Sequence, residues 1–382
     1  MRFLVAPDSF KGSLAAAEAA GAMARGLRSV FPEAGILEIP VADGGEGTVA
    51  SLLAATGGTS RCTRVRGPLG ESVEADWGVL GDGRTAVIEA AAASGLGLVP
   101  EERRDPRLTS TFGTGELVKA ALEAGFRRIL LGLGGTGTND GGAGFARALG
   151  ARFLDAQGLD LPEGGAALAR LTRVDARGLD PRLRETEILV ASDVDSPLCG
   201  PRGATAVFGP QKGLPPEGVQ ALDAALGNLA RIASRDMGRD VADRPGAGAA
   251  GGLGAGLLWF TSAQIRSGVE VCLEASAFEA RLREVDLVFT GEGRTDAQTT
   301  LGKAPLGVAA AARRQGIPVV CLSGGLGEGA EDLQAFGLSA LASLAPGPMA
   351  LETCMAEAAA LLEAATRRAA RLIHVGMSLG AG

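Results

Sequence analysis

Six times along this chain a short aliphatic run gives way to a turn built of glycines and acids. RFLVA leads into PDSFKGS, ILEIPVA into DGGEG, RRILLGL into GGTGTNDGG, EILVA into SDVDSP, VDLVFT into GEGRTD, and IPVVCLS into GGLGEG. Alanine-rich amphipathic segments such as LAAAEAAGAMARGLRSV and TVASLLAAT follow these turns. Buried strands alternating with helices are the pattern of βαβ units, so the expected fold class is α/β with a parallel sheet covered by helices. One segment breaks the rhythm. SVEADWGVLGDGRTAVIEA alternates apolar and polar residues around Gly81-Asp82-Gly83 and predicts an antiparallel hairpin, a sign that a second domain starts near residue 65. The C-terminal MALETCMAEAAALLEAATRRAARLI predicts one long helix with His374 at its end, and glycine/proline punctuation near 209–218 and 243–256 predicts loops.

Composition limits the function more by what is missing. With 382 residues, 46% hydrophobic and 21% charged, the chain is globular and long enough for two domains. The net charge of −7 and scattered basic residues argue against a nucleic-acid partner. No run is apolar enough for a membrane span, and the N-terminus has no signal-like segment, so a cytoplasmic protein is expected. Five cysteines without CxxC spacing read as reduced, mostly buried thiols. One histidine and no tyrosine leave little room for a catalytic triad or an HExxH zinc site, so acid–base chemistry falls to carboxylates and lysines.

Gly132, Gly134 and Gly137 fit GxGxxG after a strand, with Asp155 placed as a ribose-binding acid would be. That would make an NAD-dependent oxidoreductase acting on a small hydroxy acid. Yet 59 glycines in 382 residues produce about one or two such matches by chance, and Gly246, Gly248 and Gly251 supply another. Thr138-Asn139-Asp140 also stands where the fingerprint's helix should already run.

The strand ends say more. Asp8, Asp43 with Glu46, Asp140, Asp193 with Asp195, and Glu292 with Asp296 each enter a loop of small residues, and Lys11, Lys212, Arg294 and Lys303 sit in comparable loops. A lone acid there is usually a helix cap. Five sites together, with glycine turns that bring backbone N–H groups close to an anion, fit phosphoryl transfer, where carboxylates hold Mg²⁺ and lysines meet the transferring group. A Walker A loop and the protein-kinase HRD and DFG motifs are absent from the sequence.

Eight stretches carry a resemblance. APDSFKGSL (6–14), PVADGGEGT (40–48), IEAAAASGL (88–96), GTGEL (113–117), TNDGGAG (138–144), GPQKG (209–213), PGAGAAGGLGAGL (245–257) and GEGRTD (291–296) with Gly302-Lys303 follow the order of the bacterial type I glycerate kinase family. GGTGTNDGG replaces the family's commoner GGSATNDGG, and Ser196 stands where asparagine is usual. The resemblance implies ATP-dependent, Mg²⁺-assisted phosphorylation of D-glycerate, leaning to the 2-hydroxyl over the 3-hydroxyl. A non-catalytic sugar-acid or nucleotide sensor is the remaining alternative. It implies a doubly wound, Rossmann/flavodoxin-like domain from 1–65 plus 286–382, an inserted mixed α/β domain from 66–285, the active site in the cleft between them, and room for a homo-oligomer. It assigns Asp193 as general base, with Lys11 and Asp8 also catalytic. Ser9, Gly44, Gly45, Gly134, Gly135, Thr138, Asn139 and Asp140 would cradle substrate or phosphate. Lys212, Arg294 and Lys303 would bind its anionic groups, and Asp43, Glu292 and Asp296, with Asp8, would hold Mg²⁺.

Overall fold

The computed structural model describes residues 1–297, 299 and 303–380, so the Gly302 half of the Gly302-Lys303 motif lies outside them. The chain forms two compact units, Met1–Asp43 with Ala50–Gly57 and Gly268–Gly382, and Gly44–Val49 with Gly58–Ser267.

The first unit is built on β1 (Arg2–Pro7), β2 (Gly35–Glu38), β11 (Leu287–Thr295), β12 (Val319–Leu326) and β13 (Ala340–Ser343). They form a wholly parallel sheet in the order β13-β12-β11-β1-β2. The period-2 geometry of a strand sorts β1 onto two cores. Phe3 and Val5 join Phe289 and Leu322 beneath Met23 and Leu27 of helix Ala16–Arg28 and Leu362 of helix Ala358–Gly380. Leu4 and Ala6 join Val288 and Cys321 against Val308 and Ala312 of helix Ala304–Arg314. Helices on both faces of a parallel sheet make this the doubly wound arrangement expected from the alternation.

The second unit carries β3 (Thr59–Arg66), β4 (Ser72–Val79), β5 (Thr85–Glu89), β6 (Arg128–Gly132), β7 (Arg152–Leu154), β8 (Arg173–Asp175), β9 (Glu187–Ala191) and β10 (Gln264–Arg266). Six of these form a mixed sheet in the order β10-β9-β6-β5-β4-β3, while β7 and β8 make a separate antiparallel pair. The hairpin read from the sequence is β4–β5, which pairs antiparallel; β5, β6, β9 and β10 then run parallel. Ile88, Ile129, Leu131, Ile188 and Val190 bury one face under Leu117 and Leu122 of helix Phe112–Glu123 and Leu257 of helix Ala249–Phe260.

Several expectations are corrected. The stretch 249–256 is not a loop but the first part of helix Ala249–Phe260, and Pro216 opens helix Pro216–Met237. The glycines hide the former because they serve packing. Ala250, Gly251 and Gly252 have φ of 54°, 67° and 88°, and a Cβ on Gly251 would lie 2.0 Å from the Thr138 carbonyl oxygen. The left-handed break lets the helix backbone nest against the TND loop. The C-terminal segment is two helices, Leu351–Ala356 and Ala358–Gly380, and the second runs past His374 with no stop signal. His374 therefore lies inside a helix and not at its end, its ring edge-on to Phe31 at 5.6 Å. Of the cysteines only Cys272 and Cys321 are buried; Cys62 is exposed and Cys199 and Cys354 are intermediate. All five are free thiols, and burial pushes both Cys199 and Cys321 up to about 12.

Candidate active site

At the carboxyl edge of the first unit's sheet, β1 ends at Pro7 opposite Gly291, while β11 runs on to Thr295 paired with β12, so the GEGRTD stretch expected to be a turn is strand as far as Thr295. The Asp8 amide donates to the Gly291 carbonyl at 2.8 Å, which sets Asp8 beside that extension. Its own Oδ1 accepts the Ser9 amide at 2.6 Å. Burial, then the charges of Asp43 and Glu292, push the Asp8 carboxyl up to about 7, although the Ser9 bond pulls the other way. Asp43 is exposed, as is Lys11, which rides a tight turn closed by the Leu14 amide on the Phe10 carbonyl at 2.9 Å.

Glu292 is the hub of this strand extension. Its Oε1 accepts the hydroxyls of Thr295 at 3.0 Å and Thr299 at 2.9 Å, and its Oε2 meets Lys303 Nζ at 3.1 Å. Burial raises its pKa against the pull of Lys303. Arg294 Nε donates to Asp296 Oδ2 at 2.9 Å, and Lys303 also donates to the Arg294 carbonyl at 3.1 Å.

In the second unit β5, β6 and β9 end together, with Glu89 opposite Gly132 and Gly132 opposite Ala191. The 133–142 loop leaves β6, and its interior is Asp140, 1% exposed. Asp140 accepts the amides of Thr111 at 2.8 Å, Gly142 at 3.0 Å and Gly144 at 3.1 Å, with the Thr111 hydroxyl at 2.9 Å. Burial still raises its pKa despite those donors. The structure thus places Asp140 behind the cradle as the post around which the loop and the start of helix Ala143–Ala148 are wound. Lys212, 3% exposed, donates to the Thr138 carbonyl at 2.7 Å, and burial lowers it to about 8 while Asp140 opposes that shift. Asn139 Nδ2 donates to Thr205 Oγ1 at 2.9 Å. Asn139 Oδ1 and Thr138 Oγ1 are buried with no hydrogen-bond partner among the described residues. Asp193 is exposed two residues past the end of β9.

Gly44 belongs to this cluster. Its carbonyl accepts the Gly134 amide at 3.2 Å; its φ is 88°, and a Cβ there would meet the Ala191 carbonyl oxygen at 2.5 Å. Only glycine fits both demands. The residue that sequence reasoning passed over is Glu89. It lies in the IEAAAASGL stretch and accepts the Val49 amide at 2.7 Å. The signal was available, since Glu89 is another acid at a strand end. Thr111, the chief partner of Asp140, had no comparable signal in LTSTFG.

The residues present suit a phosphorylated ligand with a divalent cation. Burial and then the like charges of Asp43 and Glu292 raise Asp8, and an added cation relieves the repulsion. Among the described residues no three acids, cysteines or histidines converge to hold a metal unaided, which agrees with the habit of Mg²⁺ to take one or two carboxylates plus phosphate oxygens. The dinucleotide reading gains nothing. Helix Ala143–Ala148 starts only after Gly142, and the Asp155 side chain accepts the amides of Gln157 and Leu159 within a turn. No helix among the described residues is long and apolar enough to cross a membrane.

Comparison with known proteins gives a consistent result. The profile of the Glycerate kinase family matches residues 3–374. A protein of Bacillus subtilis named Glycerate kinase is 49% identical over 99% of both chains. One of Escherichia coli named Glycerate 2-kinase is 46% identical, again over 99% of both. A crystal structure from Salmonella typhimurium LT2, described as glycerate kinase 2, superposes with a TM-score of 0.90 at 47% identity, over 99% of each chain.

Proposed function

The chain belongs to the glycerate kinase family and is a kinase, and from that premise we propose that it transfers the γ-phosphoryl group of ATP to the 2-hydroxyl of D-glycerate, with Mg²⁺. The choice of the 2-position is supported by the name of the Escherichia coli relative, 46% identical over 99% of this chain. The observation that carries the ATP–Mg²⁺ reading is Asp8, a strand-end carboxyl raised to about 7 by burial beside Asp43 and Glu292. A cytoplasmic setting, which five free thiols suit, is part of the same reading.

When bound, Mg²⁺ supplies positive charge that neutralises the phosphate oxygens as charge develops on them. Asp8, Asp43, Glu292 and Asp296 are the carboxylates that would hold it; Thr295, Thr299 and Lys303 already engage Glu292, and Arg294 engages Asp296. Asp193, exposed at the end of β9, accepts the proton of the glycerate hydroxyl and so orients the nucleophile. Lys11 and Arg294 hold the glycerate carboxylate or the γ-phosphate; a guanidinium suits the former because its fork is bidentate. Gly44, Gly45 and Gly135 let the backbone come close to phosphate, Gly134 shapes the loop by donating its amide to the Gly44 carbonyl, and Ser9, Thr138 and Asn139 add polar side chains. Lys212 acts from beneath this loop through the Thr138 carbonyl, Asp140 holds the loop's shape, and Lys303 steadies the GEGRTD stretch.

Phosphorus NMR of the product from D-glycerate, ATP and Mg²⁺ tests the whole. A phosphorus coupled to a single carbinol proton identifies the 2-phosphate. Coupling to a methylene pair moves the acceptor to the 3-hydroxyl, and ADP formed at the same rate without glycerate refutes the acceptor altogether.

A further inference from the structure

We propose that Glu89 is a positioning residue that holds the Gly44–Val49 loop in its working shape by filling, with its own carboxylate, the amide nest at the start of helix Thr48–Thr56. The inference rests on the kinase reading, since it concerns the loop that presents Gly44 and Gly45.

The first amides of a helix have no partner within it and carry partial positive charge. Here the Val49 amide donates to the Glu89 carboxylate at 2.7 Å with the Gly47 amide turned toward the same group, while the Thr48 amide donates to the Gly45 carbonyl at 3.3 Å. Glu89 comes from the last residue of β5, so the nest is tied to a rigid sheet. The opposite end of the loop is tied to the same strand ends, because Gly44 takes the Gly134 amide at 3.2 Å and abuts Ala191. Between these anchors Thr48 Oγ1 donates to the Gly45 carbonyl at 2.7 Å. The segment is thus fastened twice, and one fastening is an anion that the protein itself provides. A nest already filled is closed to the substrate's carboxylate or phosphate, which leaves Glu89 a role in preorganising the loop and none in touching substrate. Removing the carboxylate frees the Val49 amide at the helix start and leaves the space of a carboxylate beside it, and formate is the smallest carboxylate that could take that place.

The test compares Glu89→Ala and Glu89→Gln with the full-length parent enzyme. Amide hydrogen exchange of segment 44–49 is read by mass spectrometry, and kcat and KM for D-glycerate are measured with and without formate at about 100 mM. Glu89→Ala should speed exchange in that segment at least about 10-fold and leave the rest of the second unit unchanged. It should lower kcat/KM by about 30-fold, with formate restoring about 5-fold of that loss. Glu89→Gln, which keeps an acceptor, should show a smaller loss and no gain from formate. Unchanged exchange in Glu89→Ala, or a loss that formate does not reduce, overturns the proposal. Should Glu89→Ala lack a cooperative unfolding transition, Glu89→Gln decides, with faster exchange at 44–49 expected and unchanged exchange overturning the role. A parent enzyme that leaves glycerate unphosphorylated would sink the kinase reading, while the exchange comparison would still judge Glu89.

Discussion

Asp8 and Asp140 are both aspartates in turns that follow a parallel strand, and burial raises the pKa of each. Their neighbours differ. Asp140 is wrapped by three backbone amides and a hydroxyl, so its charge, when present, is met by donors at every oxygen. Asp8 accepts from Ser9 and faces the carboxylates of Asp43 and Glu292. The difference separates two uses of the same side chain. A carboxylate wrapped in donors is satisfied by the protein itself, while one held among like charges is not, and the proposed cation would relieve that repulsion.

The sharpest way to break this division is Asp193→Asn, which should cut kcat by at least about 100-fold and leave the thermal midpoint unmoved; a kcat near the parent's removes Asp193 from the chemistry. Asp8→Asn should lower kcat/KM by about 30-fold or more, yet make the protein more stable at pH 8. The sign follows from the shift. A carboxyl with a folded pKa of about 7 against an ordinary 3.8 contributes stability below pH 3.8 that is lost as pH rises through 7, and the amide has nothing to lose. A lower midpoint at pH 8 for Asp8→Asn contradicts the like-charge account.

Asp140→Asn should do the reverse. It leaves amides facing a side-chain NH2 in a buried site and should cost about 3 kcal/mol of stability by urea unfolding; a loss under about 0.5 kcal/mol would mean the donors count for little. Next, kcat/KM should trace a narrow bell with limbs near 7, from Asp8, and near 8, from Lys212. Burial depresses Lys212, so its charge is lost as pH passes 8. Lys212→Arg should move the alkaline limb up beyond about 9, and saturating Mg²⁺ should draw the acidic limb down. Fixed limbs in both trials detach these groups from the profile. The smallest effect is a null one, since NAD(H) at about 100 µM should shift the thermal midpoint by less than about 0.5 °C.

Much of this was legible because strands and turns are local. The six aliphatic runs became β1, β2, β6, β9, β11 and β12; Asp8 and Asp193 follow their strands closely, whereas Glu292 lies within β11 and Asp140 stands farther out in the loop after β6. What was illegible depended on distance. Lys212 reaches the Thr138 carbonyl across 74 residues, and nothing in GPQKG announces that it is buried. Strand β3 escaped because its residues are largely polar and exposed, as suits a sheet edge. The helix after Gly248 escaped because glycine's low helix propensity was read without the packing that overrides it.

The order of the strands also constrains how the chain is made. β1 leaves the ribosome ahead of every other element described, yet one of its two neighbours, β11, begins at Leu287, and the sheet's outer helix Ala358–Gly380 follows all of them. At roughly 5–20 residues per second, β1 waits tens of seconds for that partner. During that interval the segment Gly58–Ser267 emerges whole and can mature first. The first-made strand of this sheet is therefore among the last to be completed, and a nascent chain stalled before residue 287 presents Phe3, Leu4 and Val5 on an open strand edge, a surface for chaperones to recognise.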